Sequence, residues 1–314
     1  MNPYPAGARA RSEWILARSP APERPRIGSD AAAFLEREPT ESGAVADVAT
    51  LLLAGGECTF RCVFCDLWKG THEEPTPEGV LPGRIALALE GLPRADRLKL
   101  YNASSWFDGR SVPEQDDRPV AALARGFERV IVESHPALVG ARAFRMQELL
   151  GGRLEVAMGL ETVHPEVLPR LNKRMTVAAF DRAAHALRAR GVAVRAFVLA
   201  GLPFLARAEA AEWAVRSAAH AFEARAWLVS LVPLRLGNGA LEALGAEAPR
   251  LEDLEDALDG VLALEGGRVT ADLWDLERLA VCAACFEARR ARLEAVNLSQ
   301  RPLPRVACGE CGAS

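Results

Sequence analysis

Six short apolar runs, each the length of one strand, with segments of helical spacing between them, limit this chain to a narrow set of folds. The runs cover residues 48–53, 97–101, 129–133, 154–160, 192–199 and 226–232, with helical periodicity at 84–92, 120–126, 177–190 and 208–221. Runs of 4 to 8 apolar residues bounded by turn signals read as buried strands. Strands alternating with helices imply a parallel sheet with right-handed crossovers. Half of the 314 residues are apolar, enough for a sizeable core. In such a sheet the loops at the C-terminal ends of the strands converge on one mouth, where chemistry is placed. Residues 1–45, rich in Pro, Arg, Ala and Glu, show no sustained period and read as an extension with one short helix near 30–37.

Each strand end carries polar groups. Asn102, Ser104 and Ser105 follow the second run, Glu133 and His135 the third, and Glu161 and then Lys173 the fourth, while Arg195 lies within the fifth. A carboxylate in such a place can also be a helix cap or a loop hydrogen-bonding group. The loop after the first run holds Cys58, Cys62 and Cys65 in a C-x3-C-x2-C arrangement. Three thiolates are one fewer than a closed iron-sulfur cluster needs. A zinc knuckle is the bland alternative, but structural zinc takes four ligands.

The triplet, with Phe64 directly before its third cysteine, resembles the signature of the radical S-adenosylmethionine (SAM) enzymes. The stretch from about 47 to 240 is similar to the radical SAM subunit of archaeosine synthase and to the Elongator and methylthiotransferase-like branch. The resemblance implies a partial (β/α)6 TIM-like barrel of α/β class, and a [4Fe-4S] cluster whose open iron chelates SAM. It also implies reductive cleavage to a 5′-deoxyadenosyl radical that takes hydrogen from a substrate. Carried over by position, Asn102, Ser104, Ser105, Phe64, Glu161 and Arg195 would contact SAM; read from the residues alone, Glu133 and His135 are candidates to contact substrate or hold a proton, and Lys173 to reach the substrate or the SAM carboxylate. A Gly-Gly-Glu turn common in the family after the second strand is absent here, where Asn102-Ala103-Ser104-Ser105 stands instead.

The remaining cysteines form two C-x2-C pairs, Cys282 with Cys285 and Cys308 with Cys311, 22 residues apart. Four thiolates suit zinc or a second [4Fe-4S] cluster. Around them Arg289, Arg290, Arg292, Arg301 and Arg305 read as a solvated helical face or as an RNA contact. The organisation expected is therefore an extension over 1–45, a radical SAM core over 46–240, and a helical segment with a small four-cysteine metal site over 241–314.

A formal net charge of −4 argues against a globally basic nucleic-acid binder, and DNA is not expected as a partner. No apolar run is long enough to cross a membrane, and no basic-then-apolar leader opens the chain. Seven cysteines in a cytoplasmic protein then point to metal ligands rather than disulfides. The expected activity is that of a radical SAM enzyme acting on a small molecule or a tRNA nucleoside, reduced by an electron donor such as flavodoxin or ferredoxin. The alternative is a non-catalytic metal protein with an RNA- or protein-binding tail.

Overall fold

A computed structural model describes residues 4–21, 24–29 and 31–312. Its strands are β1 (Ala32–Pro39), β2 (Val45–Leu52), β3 (Arg97–Tyr101), β4 (Arg129–Ser134), β5 (Leu154–Glu161), β6 (Ala193–Ala200), β7 (Leu228–Pro233) and β8 (Arg268–Ala271). Its helices are α1 (Ala8–Leu16), α2 (Val80–Glu90), α3 (Asp117–Leu123), α4 (Ala141–Leu149), α5 (Val167–Arg170), α6 (Val177–Arg188), α7 (Ala210–Glu223), α8 (Ala240–Ala243), α9 (Leu251–Leu262) and α10 (Ala283–Ser299). One sheet holds all eight strands in chain order. β2 to β8 are parallel, and β1 runs antiparallel to β2. Among the described residues β1 and β8 do not pair, so the sheet is a curled half-barrel with two free edges.

The six expected strands are all present, flanked by two more. The helix expected near 30–37 is replaced by β1, with Asp30 lying outside the described residues. The reason is tertiary. Glu36 and Glu38 of β1 reach the inner face of the half-barrel, where Lys99 Nζ donates to them at 2.6 and 2.5 Å. Above that charged floor, Val48, Ile131 and Ala157 pack with Tyr101 and Phe197 as an inner apolar layer. The outer face of the sheet buries against the helices in the main core. All eight residues of β5 are buried, as a central parallel strand covered on both faces requires.

The free edge of β8 is satisfied by side chains. Gln300 Oε1 accepts the Val269 N–H (2.9 Å) and Gln300 Nε2 donates to Val269 O (2.7 Å). Asn297 does the same for Ala271, with both bonds at 2.8 Å. Two amides one helical turn apart thus stand in for a ninth strand. α10 also packs on β1, so it spans the seam between the two edges.

Candidate active site

The loop after β2 is held from several sides. Val63 is fully buried, and its N–H donates to Leu171 O (2.9 Å). Asn172 Nδ2 donates to Arg61 O (2.7 Å), and Asn238 Nδ2 donates to Val63 O (2.7 Å). The loop so fixed turns all three cysteines into one cavity of about 360 Å³ at the C-terminal ends of the strands. Burial pushes the Cys62 thiol up to about 12 and raises Cys58 and Cys65 as well. Such thiols ionise when a bound metal supplies the positive charge that burial denies them.

The same cavity is lined by Phe64, Ser104, Ser105, Glu133, Glu161 and Lys173, so most of the residues singled out in the sequence converge. Lys173 Nζ donates to Glu161 Oε1 at 2.8 Å, and both side chains are at least nine-tenths buried. Glu161 sits at a left-handed φ of 65°, next to a register shift between Gly159 and Glu161 in the pairing with β6. A non-glycine residue held there is strained, and such strain collects at functional sites. Gly159 makes the arrangement possible: a Cβ there would overlap Glu161 Oε1 and lie 2.5 Å from Lys173 Nζ.

Glu133 reaches across to the loop after β3, where its Oε1 accepts the Asn102 N–H at 2.7 Å. Burial pushes its carboxyl up to about 7, against the opposing pull of the Asn102, Ala103 and Ser104 amides and of Lys173. Glu133 therefore organises the loop that carries Ser104 and Ser105. Asn102 contributes its backbone to that arrangement, while its side chain is fully buried and donates to Ser111 Oγ at 2.6 Å.

Two expectations need correction. His135 lines the cavity, but its Nδ1 accepts the Ala137 N–H (3.1 Å) and its Nε2 faces Lys173 O (2.8 Å). The proton therefore sits on Nε2 and both nitrogens are engaged. Burial and the Lys173 ammonium hold its pKa down to about 3, and the ring stacks on Phe60 with centroids 3.7 Å apart. His135 is a staple between β4, the cysteine loop and the 171–175 loop, not a proton carrier. Arg195 is the second correction. It is the third residue of β6, one inward step below Phe197, about 6.6 Å deeper at the usual rise of a parallel strand. Its guanidinium pairs with both oxygens of Glu38 (2.9 and 2.7 Å) and with Glu155 (2.8 Å) in the floor. Burial opposes the charges of that floor, but Arg195 and Lys99 outweigh it and hold the Glu38 carboxyl well below the usual range.

Residues 15–21, read from sequence as featureless extension, form part of the cavity wall through Ile15, Leu16, Ser19, Pro20 and Ala21. Their segment is tied down by Tyr4 Oη donating to Arg170 O (2.9 Å) and by Asn172 Nδ2 donating to Ser12 Oγ (3.1 Å). Nothing in the local pattern of this arm announces that role. Gly159 was more visible, as a lone glycine near the end of an apolar strand.

The three cysteines fit a cluster with one open iron. They share one cavity, and His135, the remaining soft ligand among the described lining residues, has both nitrogens occupied. No protein-family model matches the chain. Over 170 residues it is 32% identical to the lipoyl synthase of Frankia alni (strain DSM 45986 / CECT 9034 / ACN14a), covering 49% of this chain and 46% of that one. The match thus spans about half the length of the curated relative. In fold it is similar to methylornithine synthase (PylB), with a TM-score of 0.53 and 14% identity over 79% of this chain and 68% of that one. It is also similar to the archaeal Methanocaldococcus infernus Elp3, with a TM-score of 0.51 and 15% identity over 70% and 59%. All three are radical SAM proteins. In sequence over that half, and in fold, this chain is similar to radical SAM enzymes.

The chain carries a further, separate group of side chains that could hold a metal ion. The ligand sulfurs of Cys282, Cys285, Cys308 and Cys311 all lie within 4.8 Å of one another. The tail arginines do not surround them as a free basic face. Arg292 pairs with Asp259 (2.7 Å), Arg289 with Glu255 (2.5 Å), and Arg305 with Asp256 (2.6 Å) and Asp259 (2.9 Å). Those contacts lay the tail along α9 and bring the second cysteine pair back to the first. Arg290 and Arg301 are exposed. Among the described residues no helix is long and apolar enough to cross a membrane.

Proposed function

We propose that the protein is a radical SAM enzyme whose Cys58, Cys62 and Cys65 hold a [4Fe-4S] cluster with one iron free for SAM. The observation that carries this is the placement of the triplet. Three thiols, with no unengaged histidine or fourth cysteine among the described lining residues, open onto the same cavity as Ser104, Glu133, Glu161 and Lys173, at the strand ends of a parallel half-barrel. When bound, cluster and SAM would supply one-electron cleavage to a 5′-deoxyadenosyl radical, which removes hydrogen from a substrate. The protein's part is to orient and to exclude water. Lys173 and Glu161 present one cation and one carboxylate at a fixed 2.8 Å, a pair matched to the carboxylate and the ribose hydroxyls or amino group of SAM. Glu133 holds the Ser104 and Ser105 loop in place beside it. The substrate is a small molecule or a tRNA nucleoside, and the reductant a small carrier of the flavodoxin or ferredoxin kind. Anaerobically reconstituted protein with dithionite and SAM should release 5′-deoxyadenosine. Equal release from Cys58→Ala would refute the assignment.

The tail site is assigned to zinc. Cys282 and Cys308 have sulfurs 3.9 Å apart, and Cys285 and Cys311 have theirs 3.8 Å apart. A tetrahedron with Zn–S bonds of about 2.3 Å has edges of about 3.8 Å. A four-iron cube binds each thiolate to a different iron and so spreads the sulfurs much further. Metal analysis of Cys58→Ala should therefore return zinc without iron, whereas iron and sulfide in that variant would contradict zinc.

A further inference from the structure

The cavity walls bear most directly on the identity of the substrate, an assignment that rests on the radical SAM reading of the triplet. The lining divides by origin. Strand ends supply the polar groups, while the N-terminal arm supplies Ile15, Leu16 and Pro20 and the loop after the triplet supplies Phe64, Leu67 and Trp68. Leu16 and Leu67 are each 51% exposed, two large apolar side chains left in water at the same opening. Burying one such side chain is worth about 1.5–3 kcal/mol, so an opening edged by two of them favours an apolar guest.

The charges exclude the other class. A nucleoside within tRNA would need free cations near the mouth for its flanking phosphates and room to be turned out of its stack. Among the described residues three Lys or Arg side chains line the cavity, and every one is paired. Arg24 and Arg61 both bind Glu57 (2.9 and 2.6 Å), and Lys173 binds Glu161. Glu57, Glu73, Glu133 and Glu161 line it as well, four carboxylates against three cations. The arm roofs the opening, fixed where the Arg18 carbonyl lies so close to Gly239 that any Cβ there would overlap it. Of the tail arginines, Arg289, Arg292 and Arg305 are held by α9 carboxylates, which leaves Arg290 and Arg301 exposed and no continuous basic face.

We infer that the substrate is a small molecule with an apolar body and no phosphate, gripped between Leu16 of the arm and Leu67 of the cysteine loop, and that these two residues set its specificity. N-phenyl-1-naphthylamine, an uncharged apolar fluorophore, serves as the probe, titrated into the full chain both reconstituted with SAM and cluster-free. Saturable binding is expected, weakened at least tenfold by Leu16→Glu and by Leu67→Glu and restored by Leu16→Met. Fluorescein-labelled bulk tRNA at 100 mM salt should show no saturable binding. Saturable tRNA binding that weakens steeply with salt, or probe binding indifferent to both glutamate substitutions, would overturn the inference. Retention of labelled SAM by the unsubstituted protein in dialysis reads the cluster assignment separately: its failure would sink that assignment, while the probe and tRNA titrations of the cluster-free chain still decide this one.

Discussion

Residue chemistry at this site depends on one absence of a side chain. Gly159 leaves the space in which Lys173 and Glu161 meet, and the left-handed backbone of Glu161 turns its carboxylate toward that space. Gly159→Ala keeps strand geometry available, because Gly159 lies within β5 outside the left-handed backbone region, yet it pushes the pair apart. SAM should bind at least about tenfold more weakly, about 1.4 kcal/mol, with the far-ultraviolet circular dichroism of the parent retained. Unchanged SAM affinity would show that the pair is not a SAM contact. At the same scale His135 shows what sequence reading misjudges. A histidine at a strand end looks chemical, but a proline next in the chain and two backbone partners make it structural. Arg195 was misplaced for a simpler reason: the side-chain period of 2 counts it down from the mouth to the floor, and that count is available in the sequence.

Elements at the two sheet edges carry the burden of closing an unclosed barrel. β1 looks helical in isolation, since Ala31-Ala32-Ala33-Phe34-Leu35-Glu36-Arg37-Glu38 is rich in helix formers. Pairing with β2 and neutralisation of Lys99 and Arg195 override that preference. Removing one partner from such a buried network leaves an uncompensated charge, which is why local propensity loses. β8 is only four residues long and was invisible among turn residues. Its edge depends on α10. Replacing Asn297 and Gln300 together by Ala leaves the Val269 and Ala271 backbone groups without partners, at about 1–3 kcal/mol for each unsatisfied buried group. With four such groups, a loss of at least roughly 4 kcal/mol in urea unfolding is expected, with faster hydrogen exchange at Val269 and Ala271. Exchange unchanged at those two amides would contradict the surrogate-strand account.

For the whole molecule, what could be read in advance was periodic or chemical. The six central strands and the mouth they form follow from apolar runs, and both cysteine sets follow from spacing. The N-terminal arm could not be read, because its contacts with residues 170 and 172 and with Gly239 join residues more than 150 positions apart. The expected divisions at 45 and 240 fall inside one sheet, the first between β1 and its hairpin partner β2 and the second ahead of β8. The four-cysteine site, α10 and β1 brace the scaffold, and the triplet opens at its mouth. Its central claim is that one iron of the cluster held by Cys58, Cys62 and Cys65 is free for SAM. Electron paramagnetic resonance of the dithionite-reduced full chain, recorded with and without SAM, tests this directly. The spectrum of a [4Fe-4S] cluster in its reduced state should appear and should shift when SAM is added. A cluster signal identical in both samples would mean that no iron is open, and the account would fail.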